Sequence, residues 1–270
     1  KNKNRTSYSY ILKKQAEALS EAYSNFIKLD DKKLNKEFES YKLENDSWLD
    51  KDSLYEALSI EHGTDFWPNW KSKTDKNLFN PKSNEQKIEF GKRIDEISKK
   101  YAKDIDEYKF IQFILYKQNL ETRKLADSKG IKMIADRQVA FSDRDCWAYQ
   151  SLFLEGWCLG CPPDYFSKDG QAWGFPVINP EKLFNNDGSL GEAGILMKNL
   201  FKKMFKENPG GVRIDHIVGL IDPWVYKAGK KPMPEQGAGR LYSSPEHPEL
   251  KQYAIAKIED LDDTLTADNE

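Results

Sequence analysis

Gly210-Gly211-Val212-Arg213-Ile214-Asp215-His216 is the stretch from which the fold is read. After the paired glycines, Val212 and Ile214 alternate with Arg213 and Asp215. That is the period of a strand whose two polar side chains share one face. A strand closing on Arg, Asp and His presents charge at its carboxyl end, where a parallel β/α barrel carries its chemistry. An Arg beside an Asp favours the ionised carboxylate, the form a carboxylate nucleophile requires. Alone, the same residues would read as a surface ion pair at a strand end.

The flanking segments extend the pattern. Leu196, Met197, Leu200, Phe201, Met204 and Phe205 form an apolar stripe at helical spacing, expected to pack into a core. Asn208-Pro209-Gly210 ends that helix. Upstream, Lys129-Gly130 closes an earlier helix, and residues 131–135 read as a short apolar strand carrying Asp136 at its carboxyl end. This is the grammar of a barrel, and its strand–loop–helix–strand unit is expected to be parallel and right-handed. Asp143-Arg144-Asp145 reads as a salt-bridged loop. Residues 157–180, dense in Gly, Pro and aromatics, read as a long irregular loop of the kind that often carries function. The chain after His216, with Trp224 and Tyr226, also reads as loop.

The first 120 or so residues are helical in pattern. Leu12, Leu19, Tyr23 and Phe26 keep helical spacing, and Leu34, Phe38 and Tyr41 resume it after Asp30-Asp31. Asn45-Asp46-Ser47 suggests a new helix start, Trp67-Pro68-Asn69-Trp70 a turn, and residues 71–86 a polar loop. A lysine-rich helix with a solvated face follows from Lys87, and residues 110–125 are apolar enough for a buried helix. Trp48, Trp67 and Trp70 read as core anchors. His62 and His247 read as exposed loop histidines without metal partners at ligand spacing.

Composition excludes several classes. The 270 residues hold 42 Lys+Arg against 44 Asp+Glu, so there is no basic footprint for nucleic acid or an anionic membrane. No apolar run approaches the roughly 20 residues a membrane helix needs, and no secretory segment follows the opening Lys1-Asn2-Lys3-Asn4-Arg5. A cytoplasmic location is therefore expected. Cys146, Cys158 and Cys161 make no even framework, and the single C-x-x-C lacks the second pair of a zinc site. Packed thiols are expected, with neither metal nor cofactor.

Three segments in order resemble one family. Pro162-Pro163-Asp164-Tyr165-Phe166-Ser167 with Gly170-Gln171-Ala172-Trp173-Gly174 resembles the acceptor-site loop of the 4-α-glucanotransferases, the amylomaltases or disproportionating enzymes of the α-amylase superfamily. Arg213-Ile214-Asp215-His216 resembles their nucleophile strand, and Ala135-Asp136-Arg137 their earlier Gly-Asp strand end. The resemblance implies an α/β fold, a partial (β/α)8 barrel with large helical insertions. Residues 1–107 would be a mainly helical insertion, and 108–270 part of the barrel with its acceptor-site loop at 157–180. It implies a retaining transfer of α-1,4-glucan segments between maltooligosaccharides, with Asp215 as nucleophile. Arg213 would orient that carboxylate, His216 would bind donor hydroxyls, and Asp136 would be either a subsite contact or a structural strand-end acid. Asp164, Tyr165, Phe166 and Trp173 would line the substrate path, their aromatic faces serving sugar rings. Such chemistry needs a second carboxyl about 5 Å from the nucleophile as acid/base. The family carries it in a Glu-Asp-Leu-Gly segment, whereas Glu259-Asp260-Leu261 is followed here by Asp262. The acid is thus either Glu259 or a residue beyond Glu270, and the chain is expected to be part of a longer protein. An α-glucan hydrolase and a non-catalytic glucan-binding protein are the alternatives.

Overall fold

The computed structural model describes residues 6–229 and 238–240, in two compact units that divide between Lys129 and Gly130. In the first unit, α1 (Tyr8–Leu29) ends where Asp30 turns left-handed at φ 46°, and Asp31 starts α2 (Lys32–His62) by accepting the Lys33 and Leu34 N–H groups. An Asp tolerates the first role and caps in the second, so the break falls where the sequence places it. The expected start at Asn45-Asp46-Ser47 is absent, because α2 runs through it. Asn45 is absorbed by giving its amide N–H to the Tyr41 carbonyl and accepting the Trp48 indole N–H. Leu49, Leu54, Tyr55, Ala57 and Leu58 keep the buried face continuous, and packing overrides the local capping signal.

The 71–86 stretch is not all loop. It contains α3 (Lys73–Lys76) and the first turn of α4 (Asn84–Lys100), which Ser83 caps. After a break at Tyr101, α5 (Ala102–Ser128) completes the unit, and the division expected at residue 107 falls inside this helix. The core joins Tyr23, Phe26, Phe38, Tyr41, Leu49, Phe110 and Phe113. Phe26 stacks on Phe110 at 4.7 Å, while Phe38 meets both rings edge-on. Only Phe110 and Phe113 of the expected buried helix are fully buried; Leu115 and Leu125 face solvent.

His62 is no loop histidine. It closes α2, stacks on buried Trp70 at 5.1 Å, and bonds through Nε2 to Asp75 at 2.9 Å. Asp75, 1% exposed, also accepts Arg93 Nε at 2.8 Å and Nη2 at 3.1 Å. Burial pushes the Asp75 carboxyl up, but the hydrogen bonds from Arg93 and His62 outweigh it and hold the group below its ordinary range.

In the second unit, β1 (Ala135–Arg137) and β4 (Val212–Ile214) pair in parallel, with Asp136 opposite Arg213. The strand expected at 131–135 therefore lies further on. Gly210 N–H reaches the Met133 carbonyl and Ala135 N–H the Gly211 carbonyl, but a ladder forms only where Val212–Ile214 supplies partners. Asp143-Arg144-Asp145 opens a helix, α6 (Asp143–Ala148), because Ser142 and Asp145 form a reciprocal capping box. The expected irregular stretch is mostly a hairpin, β2 (Phe153–Cys161) with β3 (Gln171–Ile178), antiparallel. After α7 (Glu192–Glu207), β4 and α8 (Val218–Ile221), the segment expected to be loop forms β5 (Trp224–Lys227). With β6 (Ala238–Arg240) the antiparallel sheet has the order β3-β2-β5-β6. The α7 stripe is only half-buried and Phe205 is exposed; Ala193 and Gly194 are its fully buried residues. Two three-residue strands offer little sheet to cover a 16-residue helix. His247 and Glu259 lie outside the described residues.

Because the folded Asp75 pKa is depressed, its contribution is fully present above the unfolded value of about 4 and lost as pH falls through the folded one. Arg93→Met should destabilise the helical unit by about 3 kcal/mol at pH 7, the cost of breaking a buried ion pair by removing one partner. Asp75→Asn should flatten the acid limb of the urea midpoint against pH. An unchanged limb in that variant would show the stability to reside elsewhere.

Candidate active site

The site is built at the carboxyl ends of β1 and β4. Parallel register sets Asp136 beside Arg213, and the period of two brings Asp215 to the same face. Arg213 Nη1 donates to both Asp136 oxygens at 2.8 Å, and its Nη2 donates to Asp215 Oδ1 at 2.6 Å. One guanidinium thus holds two carboxylates from neighbouring strands, a use suited to its planar fork of donors. The Asp136 hydrogen bond first, then the charges of Asp136 and Asp215, raise Arg213 above its ordinary range. All three side chains are more than half exposed. The Asp215 N–H bonds to the Arg137 carbonyl at 2.9 Å, tying the turn after β4 to the end of β1.

His216 follows with φ 52°, a left-handed conformation that a non-glycine residue adopts at a cost of roughly 1–3 kcal/mol. Trp173 meets its ring edge-to-face at 5.3 Å. The hairpin register explains how Trp173 gets there. Leu159 pairs with Phe175 but Gly160 with Ala172, so Trp173 and Gly174 form a bulge, with Gly174 at φ 77°. Bulges of this kind re-aim side chains next to active sites. Trp173 is thus a bulged strand residue and not a loop residue. Behind His216, a Cβ on Gly219 would lie 2.8 Å from the His216 Cδ2 and 2.6 Å from a Val139 methyl. Sequence reading passed over Gly219; its only signal was a glycine three residues beyond the His.

Asp164, Tyr165 and Phe166 sit on the hairpin loop. Asp164 Oδ1 accepts the Phe166 and Ser167 N–H groups, so this carboxylate shapes its own turn. Tyr165 and Phe166 stand 94% and 88% exposed, edge-to-face at 5.4 Å. The contacts join Asp136, Arg213 and Asp215 in one cluster and His216 with Trp173 in a second; the Tyr165–Phe166 pair stands apart from both.

Arg137, next to Asp136, points its guanidinium over the Phe141 ring at 5.1 Å, and burial lowers its pKa. The cysteines are free thiols; burial pushes all three up, Cys146 to about 12. Among the described residues no group of His, Cys, Asp or Glu is placed to hold a metal, and no helix is long and apolar enough to cross a membrane.

The sequence profile of the 4-alpha-glucanotransferases matches residues 1–267. A 4-alpha-glucanotransferase of Clostridium butyricum is 29% identical over 245 residues, 85% of this chain and 44% of that protein. One of Aquifex aeolicus is 27% identical over 232 residues, 83% of this chain and 42% of that protein. An amylomaltase from Streptococcus agalactiae, solved in complex with acarbose, superposes with a TM-score of 0.71 at 21% identity. It covers 87% of this chain, which covers 44% of it, and the likeness establishes a shared fold. The chain spans less than half the length of each of these proteins.

Gly219→Ala should displace His216 and cost about 1–3 kcal/mol through overpacking. With three histidines in the chain, the shift is readable as a change in one imidazole NMR signal, assigned by His216→Gln. An unmoved His216 resonance would mean that Val139 alone yields.

Proposed function

The chain belongs to the 4-alpha-glucanotransferase family, and we propose from this that the protein transfers α-1,4-glucan segments between maltooligosaccharides, through a covalent intermediate on Asp215. The observation that carries the reading is the Arg213 fork, which aligns the Asp136 and Asp215 carboxylates at adjacent strand ends. On this reading β1 and β4 are neighbouring strands of a partial (β/α)8 barrel with helical insertions, and the site takes the usual place at their carboxyl ends. The helical unit through Lys129 is the insertion, and the unit from Gly130 is the barrel portion with its acceptor-site loop.

The reaction proceeds in two displacements. An Asp215 oxygen attacks the anomeric carbon, the glycosidic C–O bond breaks, and the departing glucan oxygen takes a proton from the general acid. A hydroxyl of the acceptor glucan then attacks the same carbon, giving up its proton to the same group as base, and the ester to Asp215 breaks. Arg213 keeps one Asp215 oxygen engaged and leaves the other for attack. Asp136, with both oxygens accepting from Arg213, is an orienting and substrate-binding carboxylate and not a proton donor. The acid/base is Glu259 or a residue beyond Glu270. His216 binds donor hydroxyls; Asp164, Tyr165, Phe166 and Trp173 line the glucan path, where sugar C–H faces pack on aromatic rings. Transfer prevails over hydrolysis when the acceptor excludes water from the ester. No cofactor enters this chemistry, and the protein acts in the cytoplasm.

Residues 1–270 by themselves are expected to be inactive; incubation of the whole parent protein with maltotriose should give a ladder of longer and shorter glucans. Asp215→Asn should lower the rate by roughly 10⁴-fold or more, as loss of a nucleophile does. Glucose release without a ladder would make the protein a hydrolase, bound sugar without turnover a binding protein, and a ladder surviving the substitution would relocate the nucleophile.

A further inference from the structure

Tyr226 on β5 is buried, 1% exposed, and its ring lies under the loop that carries Tyr165 and Phe166. Its hydroxyl donates to the Cys161 carbonyl at 2.9 Å and stands 3.4 Å from the Asp169 carbonyl. Cys161 ends β2, and Asp169 is two residues short of β3, so one phenol reaches both stems of the loop.

The glycines around it are shaped for this ring. A Cβ on Gly160 would lie 2.1 Å from the Gln171 carbonyl and 2.7 Å from Tyr226 Cδ2, and one on Gly170 would lie 1.9 Å from the hydroxyl. Gly170 also takes φ 74°, which disfavours any side chain. Above the phenol the loop closes on itself. Asp164 N–H and Gly170 N–H both reach the Ser167 carbonyl, and Ser167 Oγ donates to the Gly170 carbonyl at 2.6 Å. The loop is therefore closed by its own hydrogen bonds, and stands on the Cys161–Gln171 end of the hairpin ladder and on the Tyr226 hydroxyl, with two aromatic rings at its tip almost wholly in solvent. Burial raises the Tyr226 phenol above its ordinary range, which keeps it protonated and a donor.

We propose that Tyr226 is a positioning residue for acceptor binding, its hydroxyl clamping both stems of the 162–170 loop so that Tyr165 and Phe166 present a fixed platform to the incoming sugar. The clamp itself rests on geometry alone; its role toward an acceptor rests on the transferase reading above. A preorganised platform avoids the ordering cost that a mobile loop incurs on binding.

Tyr226→Phe is the clean test, since it keeps the ring and removes only the hydroxyl. Hydrogen exchange should quicken several-fold at amides within 162–170 and stay unchanged along β5 and the helical unit. Double-displacement kinetics separate the two half-reactions. With maltoheptaose as donor and glucose as acceptor, kcat/KM for the acceptor should fall roughly 5- to 10-fold, the worth of one neutral hydrogen bond. The donor kcat/KM should hold. Gly170→Ala, which drives a methyl into the hydroxyl, should reproduce both effects. Unchanged exchange in the loop, or loss of the whole fold in Tyr226→Phe, would overturn the clamp. Quickened exchange with equal losses for donor and acceptor, or with neither, would overturn the acceptor role. Absence of transfer in the unsubstituted protein would defeat the functional reading instead, and exchange alone would then decide the clamp.

Discussion

Arg213 bridging Asp136 and Asp215 is the interaction through which two very short strands become a site. A three-residue parallel pair has few ladder bonds to fix its register. A one-residue slip would place Asp136 opposite Val212 or Ile214 and send the charges to opposite faces. The fork makes the correct register the one in which Arg213 meets both carboxylates. Its groups are more than half exposed, however, and exposed ion pairs contribute little to stability. Its role is alignment; the backbone bonds from Gly210 to Met133 and Asp215 to Arg137 hold the pair at its two ends.

What could be read in advance follows from what each residue announces. Val212–Ile214 and Asp136 were legible because alternation and a terminal charge are local facts. The position of β1 was not, since an apolar run marks a strand but its partner decides which residues pair. The hairpin escaped for a related reason. Gly156, Gly170 and Gly174 adopt positive φ, and Pro176 lies in β3, the edge strand of its sheet, where a missing N–H is tolerated. Glycine and proline at bulges and edges give the same composition as glycine and proline in loops. Only the register tells them apart.

The helical unit repeats the lesson with polar residues. Asn45-Asp46-Ser47 carries a start signal that its own helix absorbs, because the buried face runs on through Leu49. Asp75 sits in a polar stretch that reads as solvated, yet it is buried and bonded to His62 and Arg93. Nothing local marks it, since its partners lie 13 and 18 residues away.

The exposure of the charged cluster bears on how such a site would work. Preorganised charges act most strongly where water is excluded, and at the surface their effect is divided by a dielectric near that of water. Asp136, Arg213 and Asp215 lie open, so the dry environment must come from something laid over them. Under the transferase reading that cover is the glucan. On that reading a sugar held against the Trp173–His216 pair would remove water during the first displacement, and the arriving acceptor would do so at the second. The aromatic residues then govern the outcome as much as the carboxylates do. Their placement depends on positions without side chains, Gly174 for the bulge, Gly219 behind His216, and Gly160 with Gly170 over Tyr226.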